Sequence, residues 1–107
     1  MESNIHQDDR RILESLPEAK IITAKQDCII GRHYHKIKTE KFILTLGSCK
    51  LVVSSVEGIT MTGSFRMKKG HLYSIPPNTY HEFHIKKDSV LIGINSHPYD
   101  ANDDYKV

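Results

Sequence analysis

From Lys20 onward, turn-forming residues interrupt the chain at intervals of about ten positions, and the segments between them are short and β-like. The runs are Ile21–Ala24, Asp27–Arg32, Lys41–Leu46, Cys49–Ser54, Thr60–Met67, His71–Ile75, Tyr80–Ile85 and Val90–Asn95. Between them lie Gly47-Ser48, Glu57-Gly58, Lys68-Lys69-Gly70, Pro76-Pro77-Asn78-Thr79 and Lys86-Lys87-Asp88. Short strands at this spacing predict an antiparallel all-β sandwich or barrel. Upstream, Asp8 or Asp9 is placed to cap a short N-terminal helix, with Ile12, Leu13 and Leu16 on one side and Pro17 closing it. A chain of 107 residues is expected to be a single domain, with a barrel over about 20–96 and a polar tail at 97–107. That tail, carrying Asp100, Asp103 and Asp104, is expected to be a loose arm or a strap across the barrel.

Composition excludes several classes. The formal net charge of +2 is near balance and lacks the concentrated basic footprint of a nucleic-acid binder. The pairs Lys68-Lys69 and Lys86-Lys87 sit beside turn residues, where paired lysines are ordinarily solvated. Val90–Ile94, the longest apolar stretch, is too short to span a bilayer. Met1–Asp9 has no apolar signal region, so a cytoplasmic location is expected, with Cys28 and Cys49 reduced and mostly buried.

The chemistry-bearing residues fall in two stretches, 31–47 and 70–81. Side chains alternate faces along a strand, so His33 and His35 project together and Tyr34 projects away. Glu40 lies five positions beyond His35, the wrong parity for one uninterrupted strand, so a turn or bulge within Lys36–Thr39 is required. Past it, Glu40, Phe42, Leu44 and Leu46 share one face, which puts a carboxylate at the mouth of an apolar row. His81, Phe83 and Ile85 likewise share a face, opposite Tyr80, Glu82 and His84. Taken singly, His33 or His81 reads equally well as a hydrogen-bonded, half-buried histidine, and Glu40 as an exposed strand start. Taken together, three imidazoles and a carboxylate facing inward are costly to bury unless a divalent cation bonds them.

These stretches resemble the two signature motifs of the cupin superfamily. The first motif, His-x-His, three or four residues, Glu, six residues, Gly, is matched by His33, His35, Glu40 and Gly47. The second is matched by Gly70, Pro76 and His81, with Asn78 where a glycine is usual and Ile85 where the motif closes on Asn. Asn is the non-glycine residue most tolerant of positive φ, so the first departure is mild. The resemblance spans about Cys28 to Asn95. It implies a double-stranded β-helix, or jelly roll, in which His33, His35, Glu40 and His81 look like ligands of a divalent ion such as zinc, iron, manganese or nickel. It also implies a homodimer. The run His33–Phe42 is further similar to the start of the C-terminal cupin domain of bifunctional capsule-sugar enzymes, which act on nucleotide-linked hexoses. In those enzymes a nicotinamide-dependent reductase domain accompanies a metal-bearing cupin domain associated with epimerisation. This chain carries no Gly-rich dinucleotide fingerprint.

Three functional readings follow. The first is an isomerase or epimerase of a nucleotide-linked sugar in polysaccharide biosynthesis, with Tyr73 as candidate acid, His71 as candidate base, and Arg32 and Lys41 as candidate diphosphate contacts. The second is a non-haem metal dioxygenase of a small organic substrate. The third is a non-enzymatic metal- or ligand-binding module. The expected partners are a small molecule and a second copy of the chain, with neither nucleic acid nor membrane.

Overall fold

The computed structural model describes residues 4–56, 62–98 and 100–106. Ten strands follow in chain order: β1 (Asn4–Gln7), β2 (Arg11–Leu16), β3 (Ala19–Ala24), β4 (Cys28–His33), β5 (Glu40–Leu46), β6 (Cys49–Ser55), β7 (Thr62–Arg66), β8 (Leu72–Ile75), β9 (Thr79–Ile85) and β10 (Val90–Asn95). A 3₁₀ turn over Ala101–Asp103 comes last. The strands form two antiparallel sheets, ordered β1-β2-β3-β10-β5-β8 and β4-β9-β6-β7. This is the antiparallel all-β architecture that the strand spacing predicts and the jelly roll that the cupin resemblance implies. The expected run Thr60–Met67 corresponds to β7, with positions 60 and 61 and the Glu57-Gly58 separator outside the described residues.

Period-two patterning sets the inner faces. Leu13, Ile22, Leu91 and Leu44 are successive cross-strand partners through the six-stranded sheet. Ile30, Phe83 and Leu51 do the same in the four-stranded one. Phe42 of one sheet meets Phe83 of the other with ring centroids 4.5 Å apart. Burying each such ring or branched side chain contributes about 1.5–3 kcal/mol. On the outer side of the six-stranded sheet, Ile21, Ile92, Ile43 and Leu72 form a second apolar row. Cys28 and Cys49 both pair with Ile85, one from each side of β9. Two strand spacings of about 4.8 Å put them beyond disulfide reach, and both thiols are free. Burial pushes the Cys49 thiol up to about 12.

Two expectations are corrected. The N-terminal helix does not form: Arg11–Leu16 is β2, pairing with β3 from Arg11↔Ala24 to Leu16↔Ala19 across a Pro17-Glu18 turn. A one-and-a-half-turn helix would gain too little to cover its nucleation cost, whereas the strand satisfies its backbone in a ladder. Asp8 does cap, but at a hairpin turn, where its Oδ1 accepts from the N–H groups of Arg10 and Arg11 at 2.8 and 3.0 Å. Leu46, expected in the inward row, is exposed, because a bulge opposite Val90/Leu91 reverses its face. Among the described residues no helix is long and apolar enough to cross a membrane.

The two motif glycines do different work. Gly47 has φ 85° and a Cβ built there would lie 2.0 Å from Ser89 Oγ, while Gly70 has φ 81° and open space around it. Gly47→Ala is therefore expected to cost about 2–4 kcal/mol, combining left-handed strain with overpacking. Gly70→Ala should lose only the conformational part, about 1–2 kcal/mol. Urea denaturation of the two variants checks the difference.

Candidate metal centre

Three local devices deliver the site. A bulge between Gly31 and His33, with Arg32 at φ 59°, ends β4 and sets His33 beside its partner His81 on β9. The loop 36–39 then restores the parity that places Glu40 at the start of β5. Asp103 ties that loop down: its carboxylate accepts from the N–H groups of Lys36 (2.8 Å), Ile37 (3.1 Å) and Lys38 (3.2 Å). Burial works against the Asp103 charge, but these donors outweigh it and hold its pKa below the ordinary range. The Pro76–Thr79 turn completes the set, with Asn78 at φ 60° donating its N–H to the His35 carbonyl at 2.6 Å.

His33, His35, Glu40 and His81 come together, each offering a ligand atom within 4.8 Å of all the others. Donors bonded to one ion at about 2.1 Å lie within about 4.2 Å of one another, so the cluster is about half an ångström from closing on a cation. Glu40 is wholly buried and His81 is 1% exposed. Glu40 Oε1 lies 3.0 Å from His35 Nε2 and 3.3 Å from His81 Nε2.

The other ring nitrogens decide what those contacts are. His35 Nδ1 meets the Asp103 carbonyl, and His81 Nδ1 lies 3.3 Å from the Thr79 carbonyl. A carbonyl only accepts, so each Nδ1 carries a proton, and the tautomer with that proton alone turns an Nε2 lone pair toward a carboxylate oxygen. Accordingly His35 Nε2, His81 Nε2 and Glu40 Oε1 are buried without a hydrogen-bond partner. Acceptors facing an acceptor need a positive charge between them, and a divalent cation fits that requirement. His33 Nδ1 sits 3.1 Å from Asp104 Oδ1, which leaves its Nε2 as the third donor.

Charge distribution agrees. Burial is the main cause that pushes the His33 imidazole down to about 4, so it is neutral near pH 7. Burial alone would push the Glu40 carboxyl up, but its polar and charged neighbours, the Lys20 ammonium among them, outweigh it and hold its pKa below the ordinary range. Lys20 Nζ lies 3.1 Å from Glu40 Oε2, having crossed the face of Gly93 to get there. A Cβ at Gly93 would stand 3.0 Å from Lys20 Cε and 2.8 Å from Phe42 Cε1. Beside the cluster opens a cleft of about 920 Å³ whose lining includes His33, His81, Phe42, Phe83, Lys20 and Arg32.

No protein-family model and no curated protein matches this sequence. Solved structures do match. CapF from Staphylococcus aureus, described as a capsular polysaccharide assembling protein, superposes with a TM-score of 0.85 at 21% identity, over 100% of this chain and 32% of its own. The Drosophila melanogaster CENP-C cupin domain gives 0.75 at 19% identity, over 89% and 76%. A variant of oxalate decarboxylase from B. subtilis gives 0.77 at 14% identity, over 98% and 30%. The chain has the cupin fold. It spans about a third of the length of the CapF chains it matches.

Within this cupin barrel the other candidates lie elsewhere. Tyr73 pairs with Phe42, its hydroxyl accepts from the Lys68 N–H at 2.8 Å, and its ring stacks on Phe65. His71 is exposed just before β8, and neither residue lines the cleft. Lys41 is exposed and lies outside the cleft lining, whereas Arg32 is part of it. His84 is on the far face of β9, bonded to Glu82 at 2.8 Å. Sequence reasoning missed Lys20, Lys38 and the roles of Asp103 and Asp104. Lys20 had a signal, since it shares the inward parity of Ile22 and Ala24.

His33 generates a pH prediction for metal-free protein. Its folded pKa of about 4 lies below the ordinary value of 6.5, so between those limits the unfolded chain binds more protons. Stability is therefore expected to be full above pH 6.5 and to fall as pH drops toward 4. His33→Gln should flatten part of that slope in urea melts with chelator present. An identical slope in the variant would remove His33 as its source.

Proposed function

We propose that this chain is a metal-dependent isomerase or epimerase acting on a nucleotide-linked or related keto-sugar in polysaccharide biosynthesis. One observation carries the reading: a four-donor cluster of three imidazoles and a carboxylate opens onto a cleft lined by cations. His33, His35, Glu40 and His81 are the residues that hold a divalent ion, whether zinc, iron, manganese or nickel. When bound, such an ion supplies Lewis-acid polarisation of a substrate carbonyl. The chain's own groups do the remaining work. Arg10, Arg11, Lys20, Arg32, Lys38 and Lys106 line the cleft against the single carboxylate of Asp104, which suits a ligand carrying phosphate or another anionic group. Ile22, Ile30, Phe42 and Phe83 give the same cleft an apolar wall.

Tyr80 and Lys38 line the cleft and replace His71 and Tyr73 as candidates for moving the proton next to the carbonyl. The likeness to CapF, whose description names capsular polysaccharide assembly, supports the sugar class. A homodimer belongs to this reading, supported by the apolar row Ile21, Ile92, Ile43 and Leu72. So does a cytoplasmic location.

Metal content tests the centre. His81→Ala is expected to lower bound metal about tenfold or more, and His84→Ala to leave it unchanged, by elemental analysis of protein dialysed against limiting zinc. Exchange of a carbon-bound hydrogen in heavy water, followed by NMR over a panel of nucleotide-linked keto-hexoses, tests the reaction. Exchange with wild type that is lost in His81→Ala supports the epimerase. Dioxygen uptake after iron loading, without exchange, supports the dioxygenase, and silence in both assays supports a binding module. CapF also has a structure with the inhibitor 3-isopropenyl-tropolone, so tropolone, which chelates divalent ions through adjacent oxygens, is a suitable competitor.

A further inference from the structure

The polar tail closes over the barrel in a specific way. The Tyr34 N–H donates to the Tyr105 carbonyl at 2.9 Å, and the Tyr105 N–H donates to the Tyr34 carbonyl at 3.0 Å. The two rings stack with centroids 5.3 Å apart, and Lys36 Nζ lies 4.5 Å above the Tyr105 ring. Tyr34 is the residue between His33 and His35. The strap is therefore bonded to the backbone of the His-x-His segment at its centre.

Between those bonds, two consecutive residues meet the two imidazoles. Asp103 presents its carbonyl to His35 Nδ1, and Asp104 presents Oδ1 to His33 Nδ1 at 3.1 Å. The Asp103 side chain is committed to the 36–38 backbone, so the same residue also sets the loop that leads to Glu40. Asp104 Oδ1 is buried and has no hydrogen-bond partner of ordinary geometry, so its approach to His33 Nδ1 at 3.1 Å is a polar contact poised to become one. A ring nitrogen is fixed as donor or acceptor by the partner of its opposite nitrogen, so whatever holds Nδ1 determines whether Nε2 can bind a cation.

We propose that the C-terminal strap, residues 100–106, is a working part of the metal centre: it positions His33 and His35 in the tautomer that leaves Nε2 free for the ion, and ion binding in turn secures the strap. This rests on the metal reading above. Asp103 and Asp104 are positioning residues, and three of the four donors answer to the strap, His33 and His35 through their Nδ1 atoms and Glu40 through its loop. Linkage then requires reciprocity: whatever the docked strap adds to metal affinity, bound metal returns to strap docking.

The test compares Asp104→Ala with Asp104→Asn, whose amide oxygen still accepts from Nδ1–H. Zinc affinity is measured by competition with a chromophoric chelator, and the imidazole tautomers of metal-free protein by long-range ¹H–¹⁵N NMR. Asp104→Ala is expected to weaken zinc binding about 10- to 100-fold and to move His33 toward the Nε2–H form, with circular dichroism unchanged. Asp104→Asn should keep the wild-type tautomer and most of the affinity. Hydrogen exchange of the Tyr105 amide in wild type should slow on adding zinc. Affinity in Asp104→Ala within twofold of wild type, or a Tyr105 amide indifferent to zinc, would overturn the proposal. If wild type binds no zinc, the metal reading fails by itself and the coupling with it. The His33 tautomer in Asp104→Ala then decides whether the strap positions the ring at all.

Discussion

A buried carboxylate oxygen faced by imidazole lone pairs is the constraint around which this barrel is organised. Glu40 Oε1 and the Nε2 atoms of His35 and His81 are held at contact distance by three separate strands or loops, inside an apolar shell. Such an arrangement is unfavourable unless a positive charge sits at its centre. Phe42 and Phe83, the largest fully buried side chains, pack against the same His81 ring that supplies one of the donors.

Much of this was legible from the chain because strand alternation is a strict rule. His33 and His81 are on strands and His35 follows the Tyr34–Tyr105 bridge, so their facing follows parity, and the same rule sends His84 outward to Glu82. The turn demanded between His35 and Glu40 exists, and the substitution of Asn for glycine at position 78 is accommodated at φ 60°. What failed was local reading without long-range partners. Ile12, Leu13 and Leu16 fit a helix stripe as well as a strand, and only the ladder with β3 decides between them. Leu46 fails for a related reason, since a bulge is a property of a strand pair and leaves little mark on one sequence.

The catalytic candidates illustrate a different limit. The structure has Tyr73 beside Phe42, packed against the core. Parity bears on facing alone. It says nothing about depth along the barrel axis, and Tyr73 lies on the side of Lys68 and Phe65, outside the cleft lining. Asp103 and Asp104 show the complement. A polar tail with several carboxylates carries no periodic signal, yet its backbone and side chains finish the coordination environment of two histidines.

Gly93 carries a consequence for which oxygen of Glu40 is left to face the histidines. Because the glycine leaves its face of β10 bare, the Lys20 stem passes from β3 across to β5 and clamps Oε2. With Oε2 so engaged, Oε1 is the oxygen that faces the His35 and His81 nitrogens. Which oxygen of Glu40 is turned toward the histidines is thus governed by a residue whose contribution is the side chain it lacks.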